Sequence, residues 1–157
     1  MKPPNKSLKI WDSPIKPDDN FNTIFWQENG LKPTYSLNNF IEENKKEIRG
    51  EFLDFVFSLG EKKVEGKKVQ EHFDIKENFN LWWMTLIAEK SPYRESSVQE
   101  SIKLIALEKL IVKQNINKIH LCSPDWRLKR SVEIICKKND IGLSLELPNS
   151  SSFKQRN

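Results

Sequence analysis

The sequence predicts an α/β fold, Rossmann-like in the broad sense, with a mostly parallel sheet and additional helices. Three observations carry this. Residues 118–147 read as strand, helix and strand. Two short β-prone segments stand near the amino terminus, and long stretches of helical periodicity lie between. A strand–helix–strand unit favours parallel pairing through a right-handed crossover.

The elements follow in order. Leu8 to Trp11 alternate and stop at Asp12-Ser13-Pro14, a first strand. Pro17-Asp18-Asp19-Asn20 is turn chemistry. Thr23-Ile24-Phe25-Trp26 has high β propensity and ends before Asn29-Gly30, a second strand. Ser36 suits the cap of a long helix whose apolar positions are Leu37, Phe40, Ile41, Ile48, Phe52, Phe55, Val56 and Leu59. Gly60 suits its end, and Gly50 is the expected bend. Residues 61–77 are polar, lysine-rich and irregular.

Asn80 suits the cap of a short helix through Trp82-Trp83, closed by Pro92. Adjacent residues on a helix point about 100° apart, so two indoles side by side predict burial on two sides. Glu89, Lys90 and Tyr93 emerge where this segment stops. Ser97 and Glu100 have capping-box spacing for a helix to about Gln114. Lys118–Cys122 is a strand, and Ser123-Pro124 starts a helix. Trp126, Leu128, Val132, Ile135 and Cys136 form that helix's apolar side, and Asn139-Asp140 ends it. Ile141, Leu143, Leu145 and Leu147 then alternate with polar residues. The expected organisation is a flexible start at 1–7, one Rossmann-like domain over 8–147, and a disordered polar tail at 148–157.

At 157 residues with 37% apolar and 31% charged residues, the chain suits one soluble domain. No stretch approaches the ~20 apolar residues of a membrane span, and the basic start lacks a secretory apolar run. The expected compartment is cytoplasmic, with Cys122 and Cys136 as buried free thiols. The charge of +4 is a mild excess. Lysines cluster at 62, 63, 67 and 68 and again along residues 129–138. Without RNA-type aromatic motifs or zinc-finger spacing, the expectation is no nucleic-acid partner and at most peripheral membrane contact.

Ligands of open α/β sheets sit beyond the carboxyl ends of the strands. Two such ends are legible: Asp12-Ser13, and Ser123-Pro124-Asp125. Each sets a hydroxyl and a carboxylate where a substrate could be gripped, though Ser-Pro-Asp is also ordinary helix-start chemistry. Glu89 is the candidate for proton transfer, because partial desolvation would raise its pKa toward the useful range. Lys90 and Tyr93 would bind substrate beside it. Only His72 and His120 are present, without a second ligand cluster, so no metal is expected. The chain has no GxGxxG, Walker A or GxSxG sequence, and no cofactor is expected.

The run Asn80-Leu81-Trp82-Trp83-Met84-Thr85, continuing to Glu89-Lys90-Ser91-Pro92-Tyr93, resembles a hallmark of bacterial surface carbohydrate (O-antigen and capsule) biosynthesis proteins. Ile41-Glu42-Glu43-Asn44, Glu51-Phe52-Leu53-Asp54, Ser58-Leu59-Gly60-Glu61 and residues 102–108 support it, so the resemblance covers most of 8–147. Thr85 stands where the pattern carries serine, which keeps the hydroxyl.

The resemblance implies a GT-B glycosyltransferase-like protein of which this chain matches the amino-terminal portion alone. In that fold the amino-terminal half mainly holds the acceptor and the other half the nucleotide sugar. The implied protein binds a glycan or lipid-linked glycan acceptor. It needs a separate donor-binding subunit, is inactive as this truncated chain alone, and sits in the cytoplasm, peripherally at the inner membrane. The alternative is a non-enzymatic module that binds a protein or a phosphosugar.

Overall fold

A computed structural model of the chain describes residues 6–14, 17, 22–27, 36–76, 79–85 and 96–148. In chain order the elements are β1 (Ser7–Trp11), β2 (Thr23–Phe25), α1 (Leu37–Glu43), α2 (Lys45–Glu61), β3 (Lys63–Val64), β4 (Lys67–Lys68), β5 (Asp74–Lys76), β6 (Phe79–Asn80), α3 (Ser96–Gln114), β7 (Lys118–Cys122), α4 (Trp126–Lys138) and β8 (Gly142–Glu146). Turns of 3-10 helix cover Val69–Phe73 and Leu81–Met84. The chain forms two compact units, one from residues 1–40 with 107–157 and one from residues 41–106.

The first unit is built on a four-stranded sheet in the order β2-β1-β7-β8, parallel throughout. This is the α/β, mostly parallel architecture expected from the sequence. Its register explains the alternation in the strands. Leu8 pairs with Ile119 and Ile10 with Leu121, so one face stacks Leu8, Ile10, Ile24, Ile119 and Leu121, all buried. The other face carries Lys9 beside His120 and Ser144, and Trp11 beside Cys122 and Glu146. Parallel sheets usually read as continuous apolar runs because both faces are covered. This one has one apolar and one mixed face.

Helix α4 starts at the cap Asp125, whose carboxylate accepts from the Arg127 N–H at 2.8 Å. Leu128, Val132, Ile135 and Cys136 form its buried stripe. It ends where Asp140 takes φ +53°, and α3 ends the same way at Asn115, φ +53°. Glu108, inside α3, holds the end of α4, accepting from Lys138 Nζ at 2.7 Å and from Asn139 Nδ2 at 3.2 Å. Trp126 departs from expectation: it is 71% exposed and off the apolar side. Two residues before Leu128, it lies about 200° around the helix from the stripe.

The second unit packs Phe52, Val56, Trp82 and Val98 together, with Leu59, Val69, Phe73, Ile102 and Ile105 around them. The expected long helix breaks at Asn44 into α1 and α2, while Gly50 sits inside α2. Asn is a poor helix former because its side chain competes for backbone groups. The lysine-rich stretch holds two small antiparallel ladders, β3–β4 and β5–β6. Glu65 and Gly66, both at positive φ, give β3–β4 the mirror-image turn that suits tight hairpins.

The paired tryptophans also depart from expectation. Leu81–Met84 is a 3-10 turn, in which Trp82 is 3% exposed and Trp83 57% exposed. Asn80 does cap it, accepting from the Trp82 N–H at 2.7 Å. Trp82 lies against Gly60, where a Cβ would come within 3.2 Å of the indole, and meets the Phe73 ring edge-on. One indole fills the space available, so its neighbour, pointing elsewhere, is left outside.

Candidate functional site

The parallel order places the topological switch between β1 and β7. From β1 the chain passes to β2 on one side, and it later returns to lay β7 on the other. At such a point the connections leave in opposite directions and open a crevice at the carboxyl edge. The residues that follow the two strands are Asp12 and Ser123.

They meet. Ser123 Oγ donates to Asp12 Oδ2 at 2.6 Å, across 111 positions of sequence. The Asp12 N–H donates to the Cys122 carbonyl at 2.8 Å, which continues the ladder past β1 and fixes the carboxylate at the edge. The Asp125 N–H donates to Ser123 Oγ at 2.9 Å. These bonds form a directed series in which a backbone amide fixes a hydroxyl and the hydroxyl serves a carboxylate. Asp12 is 5% exposed and Ser123 fully buried.

A carboxylate offers about four acceptor positions. Among the described residues Asp12 accepts from Ser123 alone. A buried carboxylate with one neutral partner is costly unless further donors complete its shell. A ligand hydroxyl or ammonium at this edge would supply one. A phosphate dianion would not, because it carries acceptors alone and has no donor to offer the carboxylate.

The neighbouring Cys122 thiol feels the same surroundings. Burial pushes its pKa up first, Glu146 and Asp12 push the same way, and Lys9 and Lys129 oppose them. Cys136 is raised by burial. Both cysteines are free and buried, as their sequence settings imply. Among the described residues no group of three His, Cys, Asp or Glu could hold a metal ion, and no helix is long and apolar enough to cross a membrane.

Four of the candidates read from the sequence thus share one edge: Asp12, Ser13, Ser123 and Asp125. Ser13 is buried and hydrogen-bonded or otherwise partnered. Glu89, Lys90 and Tyr93 lie outside the described residues. Trp26 is buried, whereas Trp126 next to Asp125 is open to solvent with the Arg127 guanidinium 5.9 Å from its ring centroid. The mixed sheet face with Lys9, His120 and Glu146 is not among the sites the sequence predicts. Its signal is the placing of Ser7, Lys9 and Trp11 at every second position of β1.

Comparison with protein-family models, with curated proteins and with solved structures finds no match.

Proposed function

We propose that this chain is the acceptor-side, amino-terminal domain of a surface-polysaccharide glycosyltransferase-like protein, and that Asp12 accepts a hydrogen bond from a hydroxyl of the glycan or lipid-linked glycan acceptor. The observation that supports this most is the buried Asp12 carboxylate at the β1–β7 switch, with Ser123 as its partner. Sugars are dense in hydroxyl donors, and a carboxylate preset by Ser123 and Asp125 accepts one without reorganising. The resemblance carried by the Trp82-Trp83 run supplies the polysaccharide context.

In this reading Glu89 acts as the proton-transfer group, and Lys90 and Tyr93 bind the acceptor. A separate donor-binding half brings the nucleotide sugar, and transfer awaits it. The domain works in the cytoplasm, with weak peripheral contact at the inner membrane. The phosphosugar alternative gains nothing from Asp12, which has no donor to receive from a phosphate. The protein-interaction alternative draws its support from exposed Trp126.

Titration calorimetry against a panel of neutral oligosaccharides tests the assignment. The wild-type chain should bind a member saturably, and Asp12→Asn should weaken that binding about tenfold or more with the melting temperature nearly unchanged. Equal affinity in Asp12→Asn removes Asp12 from the site. Binding of sugar phosphates in preference to neutral sugars favours the alternative.

A further inference from the structure

The parallel sheet ends in an open edge. In the order β2-β1-β7-β8, β8 stands last, and among the described residues no strand pairs with its outer side. Edge strands are templates for further pairing, and folds ordinarily blunt them with lysine, proline, a bulge or very short length. The opposite edge follows that rule: β2 has three residues, and Asn22 beside it takes φ +49°. The edge at β8 does not. Gly142-Leu143-Ser144-Leu145-Glu146 has no lysine or proline and pairs with Lys118–Cys122 in unbroken register.

The hydrogen bonds fix which residues look outward. The Gly142 N–H donates to the Asn117 carbonyl at 3.1 Å, so Gly142, Ser144 and Glu146 turn their backbone groups toward β7. Backbone groups alternate in direction along a strand, so those of Leu143 and Leu145 point away from the sheet. Leu147 prolongs the line, because a residue before proline, here Pro148, is held extended. The side chains divide the same way. Leu145 pairs with buried Leu121 and so belongs to the apolar face, yet it is 53% exposed, and Leu147 is 69% exposed. Outward donors and acceptors and wet leucines thus coincide on alternate residues of one strand.

We propose that β8 pairs antiparallel with β8 of a second copy of this chain, about a two-fold axis through Leu145, joining two four-stranded sheets into one. In this register Leu145 faces its own counterpart and Leu143 faces the partner's Leu147. Outward residues meet outward residues, as hydrogen-bonded antiparallel pairs require. The rungs between set Ser144 against the partner's Glu146 and Gly142 against the partner's Pro148. The one charged residue of β8 meets a hydroxyl, and the proline ring meets the residue without a side chain. An axis through Glu146 would oppose two carboxylates, which is destabilising. An axis through Ser144 would set Leu147 against Ile141, whose N–H is already given to the Cys136 carbonyl at 2.9 Å. A two-fold contact has to be complementary to itself. The order of residues in β8 meets that condition, and this selects a second copy over an unrelated strand.

One strand pair buries less than the ~1,200 Å² at the lower bound of stable interfaces, so the dimer should depend on concentration. The antiparallel arrangement points the carboxyl edges of the two sheets in opposite directions and leaves both Asp12 edges open, so the inference does not rest on the acceptor assignment. The test is sedimentation velocity of the full chain over a concentration series. The wild type should pass from monomer to dimer and no further, because the axis uses both β8 edges. Leu145→Lys and Leu145→Glu should each weaken dimerisation about tenfold or more, since every dimer carries the change twice, losing apolar contact and gaining like charges face to face. An equal mixture of the two variants should recover the dimer, because the axis sets the introduced ammonium against the introduced carboxylate. Thermal melts check that both remain folded, as a half-exposed position allows.

Trp126→Ser and Asp12→Asn should dimerise like the wild type. Failure of oligosaccharide binding with dimerisation intact would then count against the Asp12 site alone. A wild-type chain that stays monomeric up to about 1 mM, the weak end of specific association, overturns the proposal. So do folded Leu145 variants that dimerise like the wild type, a mixture of them that stays monomeric, species larger than a dimer, or equal loss in Trp126→Ser, which would put the contact elsewhere.

Discussion

The two units differ in what they bury: both leave large apolar side chains in solvent, and one alone buries polar groups among the described residues. Among the described residues the buried acid and hydroxyls, Asp12, Ser13, Thr23 and Ser123, all lie in the sheet unit, which also leaves Trp126 in solvent, while the 41–106 unit buries no such group and leaves Phe57, Trp83 and Met84 in solvent. Both departures cost stability: one by desolvating charge, the other by leaving apolar area wet. They also differ in what surrounds them. Asp12 is fixed by a bond across 111 positions of sequence, whereas Trp83 hangs from a turn whose other indole does the packing. The difference teaches that polar burial in the sheet unit is fixed by long-range hydrogen bonds, whereas burial in the second unit is decided by which of two alike indoles meets Gly60.

The strongest way to break the comparison lies in the tryptophan pair. Trp82→Ala should destabilise the 41–106 unit by about 3–5 kcal/mol, the cost of removing a large buried aromatic. Trp83→Ala should change stability by no more than ~0.5 kcal/mol, as exposed substitutions do. Urea unfolding of both variants, with amide exchange to show which unit opens, gives the contrast. Similar losses for the two would mean that Trp83 is packed. Gly60→Ala belongs to the same test. Its methyl would meet the Trp82 indole at 3.2 Å, and overpacking of that kind costs about 1–3 kcal/mol. A stabilised Gly60→Ala protein would show that the ring has room to shift.

In the sheet unit the corresponding variant is Ser123→Ala. It removes the hydroxyl that serves Asp12 and leaves a buried carboxylate with its partner gone, a loss of about 1–3 kcal/mol. The double variant Ser123→Ala/Asp12→Asn should recover part of this, because a neutral amide is cheaper to leave buried. Strict additivity of the two substitutions in chemical denaturation would break the assigned coupling between them. The cap next to it is smaller in effect: Asp125→Ala should cost ~1 kcal/mol through the lost bond to the Arg127 N–H.

How much of this the sequence announces differs between the units for a physical reason. The β7–α4–β8 close is legible because each boundary is local. Ser123-Pro124-Asp125 starts the helix, Asn139-Asp140 ends it, and both flanking strands alternate. Asp12 and Ser123 could each be named as strand-end residues, but their bond depends on which strands pair, and pairing over 111 positions leaves no local mark. In the second unit the signals fail sooner. Strands of two residues are too short for periodicity to register, although the Glu65-Gly66 turn is a usable hairpin signal. Trp82 and Trp83 are chemically alike, and only the Gly60 notch decides which one goes in. The segment holding Glu89, Lys90 and Tyr93 lies outside the described residues.

The smallest effect concerns protons, and it falls on the sheet unit alone because both cysteines lie there. Burial raises the pKa of Cys122 and of Cys136 above the ordinary 9.0. The folded chain therefore holds these protons at a pH where the unfolded chain has released them. The stabilisation is fully present below the unfolded value and is lost as pH rises through the folded values, so the window opens near pH 9 and extends upward. Lysines titrate in the same range, so the informative quantity is the difference between proteins. The urea midpoint of the wild type should fall more steeply above pH 9 than that of Cys122→Ala. Amide exchange should place the extra loosening in residues 107–148. Parallel midpoint curves, or loosening centred on residues 41–106, would mean that the thiol proton is as easily lost in the fold as out of it, and that the edge beside Asp12 is wetter than its burial implies.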